Sequence, residues 1–186
     1  LGGDVGCFVG GGYGNNAIGA GSTISGGYGN TTSSSYTSTI SGGYNNNAYN
    51  DYSTVGGGDN NKATGLSSTV GGGLRNEATG NSSTVGGGYQ NTAIGNYSWA
   101  GGKFASTGAY IGTFAWADSA TGSSTIIPNA ANQFAIKAAG GLRLIDGNQA
   151  AGYVLTCDAA GVGTWQVAGA GGGSGGTVQN ANLSIE

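Results

Sequence analysis

Apolar residues return along the first half of the chain at an almost constant interval. One β-branched position recurs with spacings of 15, 16, 15, 15 and 15 residues, and Ala100 continues the series after another 15. The best copies read Ser-Thr-Val, and the alternation of side chains along a strand predicts that the Val points inward and the Thr outward. The pattern predicts one short strand in each coil of a solenoid. The predicted core column is Val9, Ile24, Ile40, Val55, Val70 and Val85.

Polar and small residues keep the same interval and predict the rest of the coil. Two glycine columns follow the core column, then comes Asn, and an Ala or Thr lies two residues after the Asn. We expect glycine and Asn to form turns, because both tolerate a left-handed backbone and the Asn amide can bond nearby backbone groups. The Ala would face inward from a second short strand, so that coils stack ~4.8 Å apart in two sheets. The predicted turn column is Asn15, Asn30, Asn46, Asn61, Asn76 and Asn91.

Each predicted coil buries too little apolar surface to be stable alone. The burial of one Val or Ile and one Ala would have to offset a conformational-entropy cost of about 1–2 kcal/mol for each residue of the coil. Pooling apolar surface among several copies offsets this shortage, and a closed threefold arrangement avoids open-ended side-to-side growth. We therefore expect a homotrimer.

The repeat Ser-x-Val-x-Gly-Gly-x-x-Asn-x-Ala-x-Gly resembles that of the left-handed parallel β-roll in the heads of trimeric autotransporter adhesins (YadA-like heads). It is also similar to repeats in trimeric phage tail fibres, and the likeness covers about residues 5–118. The resemblance implies a left-handed roll, a homotrimer and exposure at a cell or virion surface. The chain departs from the family pattern at Thr31–Tyr36, where Thr32 and Ser34 replace Ala and Gly and an extra residue precedes Ser38. We expect a local bulge there.

The regular repeat is predicted to end at residue 118. The β-roll domain would therefore comprise residues 1–118, and the bulky Trp99, Phe104, Phe114 and Trp116 are expected to close its open end. Residues 119–150 would form a neck or connector with two short strands, 133–137 and 141–145, around a glycine turn.

Two further modules are predicted after the connector. Residues 151–167 would form a β-hairpin with strands Tyr153–Cys157 and Gly163–Val167 and a loop at 158–161. Residues 168–186 contain a Gly-rich linker and a tail, which is either a strand or the start of a stalk. The connector and the hairpin resemble short modules that follow such rolls in phage tail fibres.

Composition and charge exclude several classes of function. The single Pro and the missing Gly-X-Y period exclude collagen. The net charge of −3 and five scattered basic residues argue against nucleic-acid binding, and no apolar run approaches the ~20 residues that cross a bilayer. With no His, a Ser-His-Asp triad is impossible, and the eight acidic residues fall in different columns, which disfavours a paired-carboxylate site. We expect neither an enzyme active site nor a cofactor.

Columns of outward residues are candidate contact surfaces. Tyrosines form two columns, and such rings can stack on sugars or host proteins, or pack at the trimer interface. The second column consists of Tyr36, Tyr52 and Tyr97. The candidate receptor or glycan contacts are Tyr13, Tyr28, Tyr44 and Tyr89.

Two alternatives stay open beside an attachment fibre. An outward Thr column at strand spacing could bind ice, although Thr is also a common residue on a solvated strand face. Alternatively, Cys157 of one subunit could meet Cys7 of the next in a self-polymerising filament, or both cysteines could simply be buried. The Thr column consists of Thr23, Thr39, Thr54, Thr69 and Thr84.

The sequence as a whole favours a non-enzymatic structural fibre or adhesin segment. It would be a trimeric β-roll rod of a phage tail fibre or of a bacterial surface appendage, located outside the cell or on a virion. Its partners would be further copies of itself and a host-cell surface glycan or protein. No membrane insertion is expected.

Overall fold

The computed structural model describes residues 6–120, 125–141, 153–157 and 163–167 of the chain. The first of two compact units spans Leu1–Gly141 and the second spans Leu142–Glu186. In the first unit the chain winds through about seven turns of a parallel β-solenoid, with coils of about 15 residues. The predicted all-β class and the predicted coil length are both confirmed.

Two parallel sheets run along the solenoid, and most coils contribute one short strand to each. Sheet A has nine strands and sheet B has six among the described residues. Sheet A consists of β1 (Phe8–Val9), β3 (Thr23–Ile24), β5 (Thr39–Ile40), β7 (Thr54–Val55), β9 (Thr69–Val70), β11 (Thr84–Tyr89), β13 (Trp99–Lys103), β14 (Phe114–Ala117) and β15 (Phe134–Lys137). Sheet B consists of β2 (Asn16–Ala20), β4 (Thr31–Tyr36), β6 (Asn47–Ala48), β8 (Lys62–Ala63), β10 (Glu77–Ala78) and β12 (Thr92–Ala93).

Each sheet contributes one file of small and mostly apolar side chains to the interior. On sheet A each β-branched residue pairs with the equivalent residue of the next coil, and the five from Ile24 to Val85 are 0% exposed. Val9 is only partly buried, because it lies on the terminal strand β1. The facing file on sheet B is fully buried and consists of Ala17, Thr32, Ala48, Ala63, Ala78 and Ala93.

A third, narrower ladder lies between the two sheets and joins successive coils. The sequence did not predict this ladder. It consists of isolated parallel bridges, one residue per coil, placed after the glycine run and before the Asn column. Its outward side chains are Tyr13, Tyr28, Tyr44, Asp59, Leu74 and Tyr89.

The irregular coil at Thr31–Tyr36 contains a bulge, as expected from its extra residue. The register between β2 and β4 shifts between Ile18 and Ala20, and the regular pairing returns at Thr31 with Asn47. Thr32 replaces the usual interior Ala without leaving a polar atom unpaired. Its Oγ1 donates to the Ile18 carbonyl at 3.1 Å and accepts the Ile18 N–H at 2.9 Å.

The solenoid continues past the point where we expected a cap. Sheet A gains β14 and β15, which pair in parallel at spacings of 15 and 20 residues, so the sheet runs beyond the predicted boundary at residue 118. We expected Trp99, Phe104, Phe114 and Trp116 to close the roll. This is wrong for Trp99 and Phe114, because both occupy the outward position of sheet A that Thr holds in earlier coils. Small side chains fill the interior there instead: Ala100, Ala105, Ala115 and Ala117.

The described part of the first unit ends in a turn that follows β15. The Gly141 N–H donates to the Ala138 carbonyl at 3.0 Å, and Gly141 has a φ of +82°. This places a glycine turn after the strand predicted at 133–137. The second predicted strand, 141–145, lies outside the described residues except for Gly141.

The described strands of the second unit form the predicted β-hairpin. Strands β16 (Tyr153–Cys157) and β17 (Gly163–Val167) pair antiparallel, with Leu155 opposite Trp165. The predicted loop at 158–161 and the linker and tail at 168–186 lie outside the described residues.

Candidate functional site

The Asn column forms a buried amide ladder inside the solenoid. The Nδ2 of Asn76 donates to the Gly72 carbonyl of its own coil at 2.8 Å and to the Gly88 carbonyl of the next coil at 2.9 Å. Its Oδ1 accepts the backbone N–H of Asn91 at 3.0 Å. The equivalent bonds recur in the neighbouring coils, and the Asn residues from Asn30 to Asn91 are 0% exposed. Each amide therefore holds two coils together.

The expectation that these Asn residues themselves adopt a left-handed backbone is wrong. The positive φ belongs to the preceding residue in each coil, which turns the chain from the third ladder into sheet B. Side chains of different size and charge occupy this corner position. Its occupants include Asn45 (50°), Asn60 (55°), Arg75 (56°), Gln90 (51°) and Phe104 (60°).

A column of hydroxyl side chains that the sequence did not single out also points inward from sheet A. Ser lies two residues before the core column, so strand alternation places it on the same, interior face. Ser53, Ser68 and Ser83 are 0% exposed, and among the described residues their Oγ atoms are the buried side-chain oxygens without a hydrogen-bond partner. Burying an unpaired hydroxyl costs free energy.

Ser68→Ala is therefore expected to leave the free energy of unfolding unchanged or to raise it by up to about 1 kcal/mol. The matched control is Ser98→Ala, because the Ser98 Oγ donates to the Gly95 carbonyl at 2.6 Å and its loss should destabilise the fold. Urea unfolding followed by circular dichroism compares the two variants. A larger loss for Ser68→Ala than for Ser98→Ala would contradict the assignment of Ser68 as unpaired.

The predicted Thr column is a straight outward file on sheet A. Its members pair in register from β3 to β11, and each is half-buried. The neighbouring outward positions carry Ser25 and Ser41 and then glycine. The file is bounded by Phe8 on β1 and by Trp99 on β13. Thr64 and Thr79 follow β8 and β10 of sheet B, so they supply no second Thr rank beside this file.

In the later coils, aromatic residues occupy the outward positions that Thr holds in the earlier ones. The rings of Trp99 and Phe114 stack with centroids 4.5 Å apart, and Phe134 stacks on Phe114 at the same distance. The indole of Trp99 lies so close to Gly86 and Gly101 that a Cβ at either glycine would meet it at 2.7 or 2.4 Å. Aromatic stacking therefore replaces hydroxyl groups on this face.

The first tyrosine column is a stacked ladder rather than a row of open ring faces. Tyr13 and Tyr28 stack at 5.3 Å, and Tyr28 and Tyr44 stack at 5.1 Å. Their side chains are 72%, 47% and 47% exposed. Tyr89 stands apart from them, edge-on to Phe104 at 5.4 Å. Stacking covers both ring faces of Tyr28 and one ring face each of Tyr13 and Tyr44, so the middle of the ladder presents ring edges and hydroxyl groups to its surroundings.

The second tyrosine column lies at the other turn of the coil. Tyr36 and Tyr52 stack at 6.3 Å, and Tyr97 is exposed. Tyr52 and Tyr97 have positive φ values of 61° and 57°. These rings project from the turn that leads into sheet A.

Cys7 is a half-buried free thiol in the first coil, whose Sγ donates to the Gly19 carbonyl at 2.9 Å. The backbone of Cys157 ends β16 in the second unit. The predicted intersubunit disulfide between them stays a prediction.

Among the described residues, no group of three or more His, Cys, Asp or Glu side chains is placed to hold a metal ion. No membrane-crossing helix is found in this part of the chain either. The chain matches no protein-family model, and no curated protein sequence matches it.

Proposed function

We propose that this chain is a non-enzymatic rod segment of an attachment fibre, either a phage tail fibre or a bacterial surface appendage. The observation that carries the proposal is the composition of its interior. Each regular coil buries one Val or Ile, one Ala, one Ser and one Asn. Such a coil extends the rod by ~4.8 Å and offers no enclosed space for a substrate. A fold of this kind is suited to act as a spacer.

We propose that the rod is a left-handed roll and that it works as a homotrimer outside the cell or on a virion. The likeness of the repeat to trimeric adhesin heads supports the handedness and the number of copies. The small buried surface of each coil supports association, because about 1–2 kcal/mol of ordering cost per residue has to be offset. Exposed aromatic side chains supply apolar area that association between subunits could bury.

The tyrosine ladder has two candidate roles: contact with a host glycan or protein, and packing against a neighbouring subunit. Stacking on a sugar needs a free ring face, and the faces of Tyr28 are covered on both sides. We therefore propose subunit packing for the ladder. Receptor contact would then fall to other parts of the fibre, and its partner would be a host-cell surface glycan or protein.

Electron microscopy of the negatively stained chain tests this function against its alternatives. We expect discrete short rods of uniform length. Long uniform filaments would instead support the self-polymerising subunit. The in-register Thr file keeps ice binding as a second candidate, and thermal hysteresis of a chain solution would support it.

A further inference from the structure

Charged side chains of the regular coils are concentrated at one corner of the solenoid. Residues 6–98 contain five charged side chains. One of them, Asp51, lies near the other turn of the coil, where its carboxylate accepts the Tyr36 N–H. The remaining four lie in two adjacent coils, around the turn that joins the third ladder to sheet B. An open groove at this corner is lined by three of them together with Asn60 and Asn76. The four are Asp59, Lys62, Arg75 and Glu77.

The signs of these four charges alternate in two directions. In the first coil, Asp59 is negative on the ladder side and Lys62 is positive on the sheet B side. In the next coil, Arg75 is positive at the corner and Glu77 is negative on sheet B, in register with Lys62. None of the four has a charged partner within 4.0 Å among the described residues of its own chain. Asp59 on the ladder and Arg75 at the turn that follows it therefore run from negative to positive along the solenoid. Lys62 and Glu77 on sheet B run from positive to negative.

In a rotationally symmetric assembly, this charge pattern places opposite charges of neighbouring subunits next to each other. When parallel copies surround a common axis with this corner toward it, the ladder side of each chain faces the sheet B side of its neighbour at the same height. Asp59 then lies opposite Lys62 of the partner subunit. One coil further on, Arg75 lies opposite Glu77 of the partner subunit. Opposite charges meet at both heights.

A slip of one coil destroys this match. It would place Arg75 opposite Lys62 of the partner subunit, so that like charges meet. The buried Asn, Ser and β-branched positions repeat in each regular coil and do not by themselves fix the register between copies, because repeating strands specify register weakly. Single charged or polar positions are known to fix register in other repetitive assemblies.

We propose that the corner between the third ladder and sheet B is the surface on which copies of this chain pack in parallel, and that its four charges set their axial register. This inference rests on the proposed homotrimer. Tyr13, Tyr28, Tyr44 and Leu74 lie on the ladder side of the same corner and supply its apolar area. Tyrosine is enriched at protein interfaces, where its ring is covered and its hydroxyl stays near water.

Charge reversal of one side at a time tests the surface at constant net charge. One variant carries D59K and R75E, a second carries K62E and E77K, and a third combines all four substitutions. Sedimentation velocity over a range of concentrations gives the concentration of half-assembly. We expect it to rise by about tenfold or more in each of the first two variants, because like charges then meet between subunits. In the combined variant it should return to within about threefold of the unmodified chain.

The possible results distinguish a wrong packing surface from a wrong trimer. A monomeric unmodified chain would contradict the proposed function. A trimeric chain whose assembly is unchanged in both one-sided variants would overturn the surface and leave the trimer standing. Antiparallel packing would also give unchanged assembly, because Asp59 and Arg75 of inverted copies stay opposed after reversal, and it would overturn the parallel surface.

Cysteine pairing provides a second test that does not depend on the charges. In a background of Cys7→Ser and Cys157→Ser, a D59C chain is co-expressed with a K62C chain and oxidised. Non-reducing electrophoresis should show a disulfide-linked heterodimer. The matched control replaces D59C by T54C, which lies on sheet A and should give no such dimer. A D59C and K62C pair that yields no more dimer than the control would overturn the proposal.

Discussion

Asn76→Ala is expected to lower the free energy of unfolding by about 3–5 kcal/mol. The change removes both donor bonds of the Nδ2 and the Oδ1 acceptor of the Asn91 N–H. The Gly72 carbonyl and the Asn91 N–H lose these partners, whereas the Gly88 carbonyl still accepts the Leu74 N–H at 2.9 Å. An unpaired buried backbone group costs about as much as a lost hydrogen bond. Urea unfolding at fixed protein concentration measures the change.

Asn47→Ala is the matched control for the amide ladder. Asn47 has the same side chain and lies on sheet B, but it points outward and is only half-buried. Its replacement should change the free energy of unfolding by about 0.5 kcal/mol or less. Equal effects at Asn47 and Asn76 would show that the buried ladder does not hold the coils together.

Gly73→Ala is expected to have the largest effect of a single methyl group, lowering the free energy of unfolding by about 4 kcal/mol or more. A Cβ at Gly73 would lie 2.2 Å from the carbonyl oxygen and 2.9 Å from the nitrogen of Gly88 in the next coil. Both contacts are with backbone, which cannot rotate away. The φ of +89° adds strain for any residue with a Cβ. The two adjacent coils would have to separate locally.

Gly72→Ala separates the clash from the backbone strain. Gly72 also has a positive φ, but the nearest atom to its added Cβ is the Gly57 carbonyl oxygen at 3.8 Å. Its replacement should therefore cost about 1–2 kcal/mol, the cost of the backbone conformation alone. Chemical unfolding of the two variants, side by side, gives the difference. A Gly72 variant as unstable as the Gly73 variant would contradict a steric limit on coil spacing.

Local patterns along the chain were sufficient to predict the parts of the fold that depend on alternation and spacing. The inward Val file follows from the period of two along Ser-Thr-Val, and the hairpin Tyr153–Cys157 with Gly163–Val167 follows from two alternating runs around a turn. The bulge at Thr31–Tyr36 follows from one extra residue. Each of these features is decided within a single coil or a single hairpin.

Features that depend on the next coil were not predictable from the sequence. The role of Asn76 requires the Gly88 carbonyl and the Asn91 N–H, which only stacking brings close. The extent of sheet A was also missed, because the spacing lengthens to 20 residues before Phe134 and an aromatic residue replaces Thr at the outward position. The opposite charges of Lys62 and Glu77 could not be related to each other before the structure placed the two residues in register on sheet B.

The mass of the chain in solution, measured by sedimentation equilibrium, tests most directly whether these thin coils depend on neighbouring copies. The proposed homotrimer predicts a single species of three times the 17.9 kDa chain mass across the micromolar range. A stably folded monomer at the same concentrations would contradict it, because a single file of small side chains would then suffice to hold the solenoid together.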